Sequence, residues 1–190
     1  MEIKVCDLVK SYDGKKVLGN INLTFDSSLP TCIMAPSGRG KTTLISVILG
    51  LVRPDGGKVE ISGGDKFSAV FQEDRLAEEL SAVMNLAITK KEPDRDEILS
   101  FLQGFGLEKE ECMRQVSRLS GGQKRRVAIA RALYADSQRI IMDEPFKGLD
   151  NETKMNVINR VKNKLCGRLL ILVSHDESDA AALGAKVMNL

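Results

Sequence analysis

The chain has one histidine and four cysteines, Cys6, Cys32, Cys112 and Cys166, spread so widely that no C-x-x-C pair occurs. That spacing argues against a zinc site, and in a domain of this size it implies free, mostly buried thiols in a reducing compartment instead of a disulfide framework. An excess of one charge is also missing: 28 basic and 26 acidic residues are intermixed and leave a net charge of +2. With no basic block, no nucleic-acid partner is expected. Long apolar runs are absent too. The longest, Leu169–Val173, falls far short of a bilayer crossing, and the opening Met1-Glu2-Ile3-Lys4 is not a signal peptide, so a chain soluble by itself is expected. No internal repeat or low-complexity linker interrupts the 190 residues, a length that suits one α/β domain with an inserted subdomain.

What stands out instead is Ala35 to Thr43, A-P-S-G-R-G-K-T-T, between the apolar run Thr31 to Met34 and the apolar helical run Leu44 to Leu51. A strand, a glycine-rich turn and a helix start make a phosphate cradle. The backbone N–H groups of such a turn point at an anion, and the positive end of the helix adds to the attraction. Ser37, Gly38, Arg39, Gly40, Lys41, Thr42 and Thr43 are the expected phosphate-binding residues, with Lys41 on the β- and γ-phosphates and the Thr42 hydroxyl on Mg²⁺. The usual pattern opens with glycine where this chain has Ala35; one extra methyl is acceptable if the backbone there has negative φ.

Around this stretch, Ile3 to Tyr12 and Lys16 to Phe25 read as two strands joined at Asp13-Gly14, with Val17, Ile21, Leu23 and Phe25 on the apolar face of the second. Lys58 to Ile61 and Ser68 to Phe71 are further strands. From residue 75 to 117 the texture turns helical, with one stripe at Leu80, Val83, Leu86 and Ala87 and another at Ile98, Leu99, Leu102 and Phe105. We expect this segment to be a helical subdomain inserted into a core made of residues 1–74 and 118–190. Helices over Gly121 to Ala135, Asn151 to Leu165 and Glu177 to Leu183 alternate with the apolar runs Arg139 to Met142 and Arg168 to Ser174, the pattern of central parallel strands. Lys186 to Leu190 closes the chain.

Met142-Asp143-Glu144-Pro145 ends one of those buried runs with two carboxylates. By itself such a pair is a solvated turn. Beside a phosphate cradle, Asp143 is placed to hold the metal and Glu144 to act as general base on an attacking water. Gln72, after its short strand, could touch both metal and water. His175, after Leu169 to Ser174, could hydrogen-bond a γ-phosphate, although a lone histidine is more often a satisfied structural residue. Leu119-Ser120-Gly121-Gly122-Gln123 opens a helix, either as an ordinary N-cap or as a second anion-binding device. One nucleotide cannot need both devices, and two chains placed head to tail would use both.

In this order, over nearly the whole chain, these motifs resemble the ATP-binding subunit of ABC transporters. Tyr12 resembles the aromatic that stacks on adenine, Ala35 to Thr42 the Walker A motif, Gln72 the Q-loop and Leu119 to Gln123 the signature. Ile140 to Glu144 resembles Walker B, Gly148-Leu149-Asp150 the D-loop and His175 the switch histidine. The resemblance implies an α/β P-loop NTPase core with a mostly parallel sheet, an N-terminal antiparallel β subdomain and the inserted helical subdomain. It implies an ATPase with ATP and Mg²⁺ as cofactors, a homodimer that sandwiches the nucleotides with Ser120, Gly121 and Gly122 acting in trans, and transmembrane permease subunits whose coupling helix meets the helical subdomain. An extracytoplasmic solute-binding protein and a cytoplasmic position at the inner face of the membrane complete the expectation.

Phe71 to Leu76 and Glu144 to Asp150 are most similar to the nitrate, sulfonate and taurine importers. Where those relatives usually show Pro-Trp this chain has Glu78-Glu79, which leads us to expect a basic coupling helix opposite. Members usually continue past the strand that Lys186 to Leu190 resembles, so weak dimerisation without partners is expected. A soluble ABC ATPase acting on a macromolecular partner is the alternative, and it would need the long coiled-coil insertions or duplicated domain that this sequence lacks. A GTPase would need N-K-x-D, and the nearest string, Asn163-Lys164-Leu165-Cys166, has no aspartate.

Overall fold

Two antiparallel strands, β1 (Glu2–Tyr12) and β2 (Lys15–Asp26), open the chain on either side of the Asp13-Gly14 turn, where both residues have positive φ. The computed structural model describes residues 1–36, 38–64 and 66–190. After β3 (Thr31–Met34) come α1 (Lys41–Ile48), β4 (Gly56–Ser62) and β5 (Phe67–Val70). Then follow α2 (Ala82–Ala87), α3 (Arg95–Gln103), α4 (Lys109–Met113) and a 3₁₀ turn at Val116–Arg118. The chain returns through α5 (Gly121–Tyr134), β6 (Arg139–Asp143), α6 (Asn151–Leu165), β7 (Leu169–Val173), α7 (Glu177–Leu183) and β8 (Lys186–Asn189).

The strands make two sheets. One is antiparallel, in the order β2-β1-β4; the other runs β5-β6-β7-β3-β8 with every pair parallel. β6 and β7 are buried along their full length, as central strands of a parallel sheet must be. Their side chains alternate between two cores. Ile140, Met142, Leu170 and Leu172 face a cluster with Val127 and Ala128 of α5 and Val157 and Val161 of α6, while Ile141, Ile171 and Val173 meet Leu44, Ile45 and Ile48 of α1 and Ile3 and Phe25 of the antiparallel sheet. Each fully buried Leu or Ile contributes roughly 1.5–3 kcal/mol, so layers on both faces hold the sheet flat against its helices.

The expected α/β plan is present, with two local differences. Leu18, not Val17, is the fully buried residue at the start of β2, because the β1–β2 register shifts between the Leu8↔Ile21 and Lys10↔Leu18 pairs and Asn20 takes a φ of 57°. Such a bulge reverses which parity faces the core. α1 also stops at Ile48, short of Leu51, which is 60% exposed; Gly50, at φ 71°, ends the helix.

Candidate active site

The strand order sets out the chemistry. In a parallel sheet ligands collect at the carboxyl ends of the strands. Reading across that edge, β5 leads to Gln72, β6 ends in Asp143 and Glu144, β7 leads to His175, and β3 leads to the glycine-rich turn and Lys41. Residues far apart in sequence therefore become neighbours.

At the turn, Gly40 is the N-cap of α1 with φ 87° and offers no side chain to cap the helix. The first-turn N–H groups are thus left for an anion, a role unlike that of Ser81, Asp94, Ser120, Asp150 and Asp176, whose side chains cap their own helices. A Cβ at Gly40 would lie 2.8 Å from Leu18 Cδ2, so the turn packs directly on β2. Ala35 is not among the positive-φ positions of the described residues, and the methyl that replaces the usual glycine meets no backbone objection. Lys41, only 8% exposed, donates to Ala35 O at 2.6 Å and Pro36 O at 3.3 Å and lies 3.2 Å from His175 Nε2.

The carboxylates lie next to it. The Thr42 hydroxyl donates to Asp143 Oδ2 at 3.0 Å. Glu144 Oε1 stands 3.1 Å from His175 Nε2, in ion-pair range, and the Glu144 amide donates to Val173 O at 2.9 Å, which ties the residue to the end of β7. Glu144 holds a left-handed φ of 51°, a conformation found at functional positions when the surroundings over-determine it. Burial pushes both carboxyl groups up; the Thr42 hydroxyl opposes this at Asp143, and the His175 ring opposes it at Glu144.

Asp143 Oδ1 is buried without a hydrogen-bond partner. An orphaned carboxylate oxygen beside a threonine hydroxyl is a hard-oxygen donor set that fits Mg²⁺. Among the described residues no three His, Cys, Asp or Glu side chains form a metal cage by themselves. Val17, Gly38, Gly40, Lys41, Thr42, Thr43, Gln72 and His175 line a cleft of about 260 Å³ over this arrangement.

The profile of the ABC transporter family matches residues 18–147. The chain belongs to that family. Among its relatives in the family, it is 33% identical to the taurine import ATP-binding protein of Escherichia coli O157:H7, covering 99% of this chain and 79% of that one. It is 32% identical to the spermidine/putrescine import ATP-binding protein of Mesoplasma florum, covering 98% of this chain and 58% of the relative. The chain thus spans little more than half the length of such spermidine/putrescine relatives, the one from Fusobacterium nucleatum included, at 54%. An ABC ATP-binding cassette solved as a dimer in a post-hydrolysis state with ADP and Pi superposes with a TM-score of 0.87 at 28% identity, over 99% of this chain and 94% of that one.

Within this ABC fold, Gln72, Lys41, Thr42, Thr43, Gly38, Gly40 and His175 share one cleft, with Asp143 and Glu144 bonded to its members. Ser37 lies outside the described residues. Arg39 is exposed on the turn. Tyr12, 45% exposed, sits at the end of β1 with Lys10 Nζ 5.3 Å from its ring centroid, and it does not line the cleft. Ser120, Gly121 and Gly122 do not line it either; Ser120 Oγ accepts from Gln123 N while Gln123 Oε1 accepts from Ser120 N, a reciprocal cap at the start of α5.

Sequence reasoning missed the network that holds the segment after β7. Lys154 of α6 pairs with Asp176 Oδ2 at 2.5 Å and with buried Asp179, whose other oxygen accepts from Ser174 Oγ at 2.7 Å. Residues flanking His175 are thereby fastened to α6. The Lys154 ammonium, together with Ser178, holds the Asp176 carboxyl at about 2, below its ordinary 3.8. A depressed carboxylate stabilises the fold above its unfolded value, and that contribution is lost as pH falls through the folded one. D176N is therefore expected to lower the melting temperature at pH 7 by a few degrees at most, since the side chain is half exposed, with the gap to wild type closing as pH falls from 5 towards 2. A gap independent of pH would show that the charge is not what matters there.

Proposed function

We propose that the chain is the ATP-hydrolysing subunit of an ABC importer. One observation carries this reading above the others: Lys41 and Glu144, from different strand ends, both come within 3.2 Å of His175 Nε2, beside a helix start that no side chain caps. The triphosphate lies on the N–H groups of residues 38–43 with Lys41 on its outer phosphates, and adenine stacks on Tyr12. Thr42, Asp143 and Gln72 are the residues that would hold Mg²⁺, which would supply neutralisation of phosphate charge. Glu144 accepts the proton of the attacking water as its oxygen bonds to the γ-phosphorus and the bond to ADP breaks; His175 hydrogen-bonds the γ-phosphate.

Ser120, Gly121 and Gly122 serve the nucleotide of a second copy, placed head to tail. The exposed, glycine-opened end of α5 supports this, since it stands apart from the chain's own cleft. Residues 75–117 form the subdomain that meets the permease. An apolar cleft of about 330 Å³ lined by Val83, Met84, Ala87, Ile98 and Met113, with Ile88 exposed on the same helical segment, supports that docking role. The Glu78 carboxylate is already 3.0 Å from Lys124 Nζ, so of the acidic pair it is Glu79 that would answer a basic partner helix. The complex then includes transmembrane permease subunits and an extracytoplasmic solute-binding protein, needs no nucleic acid, and sits at the inner face of the membrane. Taurine, aliphatic sulfonate and spermidine/putrescine in the names of relatives support a small charged solute as the cargo, which the partner subunits would select.

The trans arrangement is tested by how rate depends on protein. Below the dissociation constant of the dimer, a tenfold rise in protein concentration is expected to raise specific phosphate release about tenfold, by mass action. A rate strictly proportional to protein would mean that one copy suffices.

A further inference from the structure

Gln72 reaches the cleft from a segment that the fold grips from behind. Arg125, on the buried face of α5 and 9% exposed, donates from Nη1 to Phe71 O at 2.7 Å and from Nη2 to Gln72 O at 2.5 Å, while its Nε lies 3.2 Å from Asp74 Oδ1. Every edge of the guanidinium is thus turned on residues 71–74. Further along the same helix, Arg131 donates to Arg75 O at 2.9 Å and Asp74 O at 3.4 Å. Arg75 itself has a left-handed φ of 46° and stacks its guanidinium 3.8 Å from the Phe71 ring. None of Arg125, Arg131 and Asp74 lines the cleft, whereas Gln72, whose carbonyl Arg125 holds, does.

We propose that Arg125 is a positioning residue for Gln72, and that through it residues 71–75 and α5 move as one body. The inference rests on the reading of the cleft given above. It is carried by the form of the contact. A buried ion pair adds little stability over an apolar side chain of the same volume, so an arginine sunk here and spent on two backbone carbonyls and one carboxylate is better explained by orientation than by adhesion. The planar fork fixes both the position and the tilt of the Gln72 peptide, which an ammonium or a thioether cannot do. Since Ser120 caps α5 and Gly121 and Gly122 open it, whatever moves Gln72 in one nucleotide site also moves the helix end offered to the other.

The test uses the full chain with R125K, R125M, Q72A and the double variant Q72A/R125K. Steady-state phosphate release is read alongside equilibrium binding of a fluorescent ATP analogue. R125K is expected to lower kcat fivefold or more and R125M tenfold or more, with nucleotide binding changed less than twofold; a general loss of folding would move both. Combined with Q72A, R125K is expected to add less than a twofold loss, because it acts through the residue already removed. Losses that multiply, or an R125K enzyme with wild-type kcat, would overturn the proposal. Amide exchange supplies a reading that needs no turnover: residues 71–75 are expected to exchange at least tenfold faster in R125K, with 139–143 unchanged. If the wild-type chain released no phosphate, the proposed function would fall, whereas unchanged exchange at 71–75 would sink the clamp.

Discussion

Replacing Glu144 by glutamine is expected to slow phosphate release by about 10³-fold, within the range that a lost general base costs, while ATP-driven pairing of two chains persists or strengthens. The substitution is nearly isosteric, so it tests chemistry and little else. The Glu144 amide keeps its bond to Val173 O, the backbone keeps its φ of 51°, and the side chain, 11% exposed, keeps its place against His175. What is removed is the carboxylate's charge and with it the capacity to accept a proton. Burial already disfavours the charged carboxylate, so E144Q is expected to melt no lower than wild type, which separates lost chemistry from lost fold. Phosphate release and size-exclusion profiles with and without ATP decide it. Turnover at the wild-type rate would remove Glu144 from the reaction.

Gly57→Ala is expected to cost roughly 2–5 kcal/mol of stability, the sum of a left-handed backbone penalty and an overlap that cannot relax. Gly57 lies in β4 at φ 77°, and a Cβ there would stand 2.4 Å from both Cys6 O and Asp7 O. Those atoms are backbone, in the stretch of β1 where Asp7 has a φ of 49° and the register with β4 shifts, so no side chain can swing aside. Gly14 supplies the control. It has nearly the same φ, 76°, with open space where its Cβ would be, so Gly14→Ala should cost only the backbone term, about 1–2 kcal/mol. Urea unfolding of the two variants reads the difference directly. Equal losses would mean that the close approach of β4 to β1 is not a constraint.

The strand and the uncapped helix start on either side of the glycine-rich turn were legible in the sequence because they are local: they lie within residues 31–48 and need no distant partner to be recognised. Gln72, Asp143, Glu144 and His175 could each be placed at a strand end, yet their adjacency comes from the order β5-β6-β7-β3, which no single segment encodes. The apolar face of β2 was misassigned at Val17 for a related reason. A bulge near Asn20 changes parity without any break in the hydrophobic pattern. Arg125 and Lys154 were illegible altogether, since on a helix an arginine or lysine reads as solvated surface until the loop it grips, 51–54 residues away for Arg125 and 22–25 for Lys154, is folded against it.

Neighbouring strands stand about 4.8 Å apart, so the four strand ends that supply the cleft span roughly 14 Å, while the side chains after β3, β6 and β7 meet within hydrogen-bonding reach at His175. A chimera that exchanged any one of these edge loops with a relative would bring in a group aimed at neighbours it was not fitted to. Residues 77–117 run between β5 and α5 and line none of that cleft, so exchanging them would leave the groups at the strand ends in place.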